Sequence, residues 1–99
     1  MPDELTVKQR VRKIVLDVRK PLTVKGKPIT SPKQVDPAWS LGFPFPIGMD
    51  KIKINGLLVP RLDLYVKSLK PAKSFTPADI KPAMTIGELQ DSVWAKVKG

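Results

Sequence analysis

Ninety-nine residues, 41% of them hydrophobic and 27% charged, fit a single globular domain spanning 1–99 and leave no length for a second core. The chain has no cysteine and no histidine, which excludes disulfides, thiolate zinc sites, thiol nucleophiles and the usual general base at neutral pH. Eighteen Lys and Arg against nine Asp and Glu give a formal charge of +9, which draws such a chain toward nucleic acid, anionic lipid or an acidic protein.

The acids are scattered singly or lie near helix starts, so neither a paired-carboxylate site nor an oxygen-ligand metal cage has a nucleus. The expectation is a protein that is not an enzyme and holds no metal. No run approaches the roughly 20 apolar residues that cross a bilayer. The start, Met1-Pro2-Asp3-Glu4, lacks the basic-then-apolar pattern of a secretion signal, so a cytoplasmic location is expected.

In chain order, Val7, Val11, Ile14 and Val18 fall on one helical face and predict an amphipathic helix over 6–19. Thr6 with Gln9 reads as its capping box, and Pro21 closes the far end. Lys8, Arg12 and Arg19 flank the apolar stripe, either as an anion-facing edge or as the solvated flank of a core helix. From Lys20 to Met49 the chain carries Pro21, Pro28, Pro32, Pro37, Pro44 and Pro46 and keeps no clean period, which predicts a long loop. Val35, Trp39, Leu41, Phe43, Phe45 and Ile47 could pin that loop to the core. The Phe43-Pro44-Phe45-Pro46 run reads as a hydrophobic lid or as an aromatic docking knob.

The next segment has two readings. Ile52-Lys53-Ile54-Asn55-Gly56-Leu57-Leu58-Val59 alternates around Asn-Gly and reads locally as a hairpin over 51–59, whereas Leu57, Leu58, Leu62, Leu64 and Tyr65 would equally populate a broad helical face. Further on, Thr76-Pro77-Ala78-Asp79-Ile80 predicts a single capped turn with proline at its first position. A capping box, Thr85 with Glu88, opens a final helix over 85–97, whose Ile86, Leu89, Val93 and Val97 keep helical spacing with Trp94 alongside. The two end helices should meet through Val11, Ile14, Val18, Leu89 and Val93.

An amphipathic first helix, a long loop, a Gly-Met-Asp step into a Leu-rich segment, a Thr-Pro-Ala-Asp-Ile turn and a capped Thr-Ile-Gly-Glu-Leu helix follow one another in an order that resembles an acyl carrier protein. The resemblance implies an all-α, four-helix bundle with helices at 6–19, 50–65, 76–81 and 85–97. In that family a serine directly after an aspartate at the start of the second helix carries phosphopantetheine. Here Asp50 is followed by Lys51, which cannot form that phosphodiester. Ser40, in Trp39-Ser40-Leu41-Gly42, is the other attachment candidate, although the glycine and prolines after it do not suit a helix start. The family's acidic second helix meets basic patches on enzymes, and Lys51, Lys53 and Arg61 reverse that sign.

These residues point to a carrier-like interaction module without phosphopantetheine or other cofactor, docking to an acidic protein partner through Lys51, Lys53 and Arg61. Two alternatives stand beside it: a basic α+β nucleic-acid-binding domain with its hairpin at 51–59, and an atypical carrier with a different attachment site. Dispersed lysines and only six aromatic residues predict that any nucleic-acid binding is weak, indifferent to sequence and steeply reduced by salt.

Overall fold

The computed structural model describes residues 3–42, 47–81 and 83–98. The Phe43-Pro44-Phe45-Pro46 run, read from sequence as a lid or a knob, lies outside the described residues.

Helix α1 (Glu4–Arg19) starts two residues before Thr6. The cap is Asp3, in extended backbone, whose carboxylate accepts the Thr6 N–H at 2.9 Å. Thr6 is thus the third helical residue, and the expected Thr6–Gln9 capping box is not the start signal. An aspartate upstream supplies the same acceptor and adds negative charge at the positive end of the helix dipole. The other end falls where Pro21 requires it: Arg19 is the last helical residue and Lys20 is extended. Val7, Val11, Ile14, Val15 and Leu16 are buried, and Val18 is only partly so.

The stretch after α1 is less irregular than its prolines suggested. Strands β1 (Leu22–Val24) and β2 (Lys27–Ile29) pair antiparallel, with Leu22 opposite Ile29, Thr23 opposite Pro28 and Val24 opposite Lys27. Lys25 and Gly26, at φ 52 and φ 79, form the two-residue loop, and two positive φ values are the condition of a type I′ turn. Such a loop makes Val24 and Lys27 a bonded pair, so the ladder's alternation puts Pro28 at a position that forms no cross-strand bond. Its missing N–H is therefore not needed. Leu22 and Ile29 point the hairpin's one apolar face into the core.

A 3-10 turn (Pro32–Gln34) follows, with the Gln34 Oε1 accepting from the N–H groups of Thr30 and Ser31 at 2.9 and 3.0 Å. Val35, Leu41, Ile47 and Met49 are then buried, as a pinned loop requires, and Trp39 packs against them half-buried. The loop is stitched to the last helix by backbone bonds. Leu41 N–H donates to the Met84 carbonyl at 2.9 Å, and Ile86 and Gly87 N–H donate to the Trp39 and Pro37 carbonyls, both at 2.8 Å.

Residues 51–69 are helical, so the hairpin read at 51–59 does not form. Asp50 caps the segment by accepting the Lys53 N–H at 2.8 Å. Helix α2 (Lys51–Lys53) passes into a π-helical segment (Ile54–Leu58) and then into α3 (Val59–Leu69). Tertiary burial decides against the Asn-Gly signal. Ile54, Leu58, Leu62 and Val66, four apart, are all buried, whereas Ile52 is 82% exposed; a strand would have put Ile52 and Ile54 on one face. Pro60 explains the widened turn. In an α-helix its ring would meet the Gly56 carbonyl, and opening that turn, with the Val59 N–H bonded to the Ile54 carbonyl, relieves the clash without ending the helix.

A second 3-10 turn (Pro77–Asp79) is closed by Asp79, whose carboxylate accepts from the Thr76 N–H and hydroxyl at 2.9 and 3.0 Å. Helix α4 (Ile86–Val97) opens on the expected box: Glu88 N–H donates to the Thr85 hydroxyl at 3.1 Å and Thr85 N–H to the Glu88 carboxylate at 3.2 Å. Its buried face is Ile86, Leu89, Gln90, Val93 and Val97, and α4 packs on α1 in the most extensive helix–helix contact among the described residues. The described residues are thus mostly helical, around one apolar core, with one two-stranded hairpin that a purely α reading did not include. Among them no helix is long and apolar enough to cross a membrane.

Candidate functional site

The carboxylates are all engaged in holding the fold. Asp3, Asp50 and Glu88 cap helices, and Asp36 accepts the Ala38 N–H at 2.8 Å within a turn. Lys8 joins Glu4 on its own helix to Asp91 on α4, 3.0 Å away, and Lys20 meets Asp17 at 3.3 Å. Asp63 accepts the Phe75 N–H at 2.9 Å and both its oxygens lie 3.0 Å from Lys67, which ties the chain after α3 back to that helix. Asp79 also pairs with Lys96 of α4 at 3.1 Å.

Titration follows from these bonds. The Phe75 N–H and then Lys67 hold Asp63 below the usual carboxylate range. Asp3 is held below it by the Thr6 N–H and hydroxyl. At Asp79 burial pushes upward, but the bonds from Thr76 and Lys96 outweigh it and the carboxyl is lowered. Lys8 is raised by its bonds to Glu4 and Asp91. Among the described residues no three acids converge on a point where a metal ion could sit.

The basic residues divide into two sets. Of those read from sequence as a possible anion-facing edge of α1, two serve the fold. Lys8 bridges two acids, and Arg19 donates through Nε to the Ile47 carbonyl at 2.6 Å and through Nη1 to the Pro21 carbonyl at 3.1 Å. Arg12 is half-buried, with its Nε shielded and without a protein acceptor among the described residues. Lys51, Lys53 and Arg61, by contrast, are exposed and carry no ion pair among the described residues. They do not form one tight cluster: the two lysines sit in the first turn and Arg61 lies about two turns further along the axis.

Arg61 has more specific company. Leu57, Arg61, Leu64 and Ser68, spaced four, three and four, share one stripe on the outer side of the helix. Leu64 is 70% exposed on it. Beside that stripe, α1 and α3 form a groove of about 350 Å³, walled by Arg10, Ile14 and Asp17 on one side and by Arg61, Leu64, Tyr65 and Ser68 on the other. The Arg10 guanidinium stands 5.9 Å from the centre of the Tyr65 ring, close enough for a cation–π contact. Burial pushes the Tyr65 phenol up, and the Arg10 charge opposes it. A second cleft, about 310 Å³, lies between α1 and the first 3-10 turn, lined by Thr6, Gln9, Arg10, Lys13, Ser31, Pro32 and Lys33. Arg10 borders both.

Ser40, the other attachment candidate, is bridged to Thr85, the cap of α4, and does not itself open a helix. Leu64 and Tyr65 enter the sequence reading only as part of a broad helical face, and Arg10 and Lys13 are not singled out by it. Their signal was there, since Arg10, Lys13 and Asp17 recur at helical spacing outside the apolar stripe of α1. What the spacing lacked was the knowledge that this face of α1 lies beside residues 61–68. No family model, no curated protein and no solved structure matches this chain.

Proposed function

We propose that this protein is a non-catalytic docking module, carrier-like in the order of its helices, which meets an acidic protein partner through the outer face of residues 51–68. One observation carries the reading: Ile52, Leu57 and Leu64 are exposed on a helix that also presents Lys51, Lys53 and Arg61. Exposed aliphatic side chains among uncommitted cations favour a partner that is both apolar and anionic. A phosphate backbone would satisfy the cations and leave Ile52 and Leu64 in water.

The carrier-like part of the reading rests on Asp50 and Lys51, which open the central helix where the family places its aspartate and serine. A lysine there leaves no hydroxyl for a phosphodiester, and its charge suits docking to acids.

The test is a Lys51→Glu, Lys53→Glu, Arg61→Glu triple variant against a labelled amphipathic peptide of Glu, Leu and Ala, with single-stranded RNA and anionic vesicles as rivals. The unaltered protein should bind the peptide, and the variant should lose that binding while keeping its circular dichroism, because exposed charges add little to stability. RNA binding that survives physiological salt and discriminates between sequences, or vesicle binding without peptide binding, overturns the proposal.

A further inference from the structure

Arg10 borders two concave surfaces at once, and each combines apolar surface with cations. In the α1–α3 groove Ile14, Leu64 and Tyr65 supply apolar surface, and the cations Arg10 and Arg61 line it beside them. The cleft beside the first 3-10 turn is lined by Pro32 together with the exposed cations Lys13 and Lys33, whose long alkyl stems offer apolar surface of their own. Arg10, Lys13, Lys33 and Arg61 have no ion-pair partner among the described residues. The single acid in either wall, Asp17, is paired with Lys20.

Arg10 is also the cation best prepared for a ligand. Its guanidinium rests over Tyr65, which restrains a side chain that would otherwise lose rotamer entropy on binding, and its planar fork matches a carboxylate in a way an ammonium does not.

Resting on the docking function proposed above, we infer that Arg10 is the pivot of recognition: an acidic segment of the partner crosses it, places an apolar side chain in the cleft on either side, and sets carboxylates against Arg10 and Arg61 on one flank and Lys13 and Lys33 on the other. Charge complementarity selects the acid. The apolar part of each lining selects side chains over a phosphate backbone, and the concavity selects a protruding chain over a flat bilayer surface.

Titration of isotope-labelled protein with the Glu/Leu/Ala peptide, followed by amide chemical shifts, should perturb both Ser31–Lys33 and residues 61–68. Anisotropy on the same peptide should show affinity falling at least about tenfold for Arg10→Ala, with partial recovery in Arg10→Lys, and a comparable fall for Lys13→Glu combined with Lys33→Glu. Each altered side chain is exposed, and unchanged circular dichroism shows the fold intact. Peptide binding that perturbs only one cleft, or that is indifferent to Arg10, overturns this inference and leaves the docking function standing. Loss of affinity in the Lys51, Lys53, Arg61 triple variant alone has the same consequence. No peptide binding by the unaltered protein overturns both.

Discussion

Gln90 donates through Nε2 to the Lys8 carbonyl at 2.8 Å, joining α4 to α1 across 82 positions of sequence. Gln90 is 3% exposed and is the one buried polar side chain among the described residues. A buried amide without its acceptor would be costly, so this bond fixes how the two helices register.

Gln90→Ala should therefore lower the unfolding free energy by about 1–3 kcal/mol, combining a lost hydrogen bond with a small cavity. Gln90→Leu, which keeps most of the volume, should cost less. Urea denaturation with an unchanged slope measures both, and a cost under about 0.5 kcal/mol for the alanine variant would show that the site is solvated.

Acid sensitivity follows from Asp3, Asp63 and Asp79, all held below their ordinary value of 3.8 in the folded chain. A carboxyl lowered by folding stabilises the fold above its unfolded value and loses that contribution as pH falls through its folded value. Stability should thus be flat near neutrality and drop below about pH 4. Asp63→Asn should be less stable than the parent at neutral pH, and the gap should close in acid, when the parent's Asp63 is protonated too. A gap that stays constant from neutral pH to about pH 2 would remove Asp63 from the acid response.

Gly56 lies in the π-helical segment, and nothing is within 4 Å of a Cβ placed there. Glycine gains no packing at such a position and loses more backbone freedom on folding than alanine. Gly56→Ala should raise stability by about 0.5–1 kcal/mol, read from the denaturant midpoint. A destabilised variant would mean that this backbone is not helical in solution.

Lys51 follows Asp50 at the start of the central helix, and Ser40 is bridged to Thr85 without itself opening a helix. Incubation with coenzyme A and a phosphopantetheinyl transferase should leave the intact mass unchanged. An adduct on any residue would restore the atypical-carrier alternative.

The two end helices were legible in the sequence because their signals are local and repeated. Val7, Val11 and Ile14 on one side and Ile86, Leu89, Val93 and Val97 on the other carry helical spacing over several turns, and the Thr85–Glu88 box and Pro21 mark boundaries by chemistry within a few residues. The start of α1 was misplaced by two residues because Asp3 and Thr6 both offer a capping oxygen, and only the backbone decides which one accepts.

Tertiary structure decided the rest, for three physical reasons. At 51–59, alternation and Asn-Gly favour a hairpin, but burying Ile54, Leu58, Leu62 and Val66 together outweighs a local turn preference, and the chain absorbs Pro60 by widening one turn. At 22–29, Pro28 hid a hairpin, because whether a proline disrupts a ladder depends on its register, which the Lys25-Gly26 turn sets. The groove was the least legible, since it needs Arg10 and Tyr65 side by side, 55 positions apart (65 − 10) on helices that each read as an ordinary amphipathic face. Composition determined that this protein carries excess positive charge and few groups for chemistry. Which of those charges stay uncommitted was decided by the fold, because each acid engages the donors that packing brings within reach.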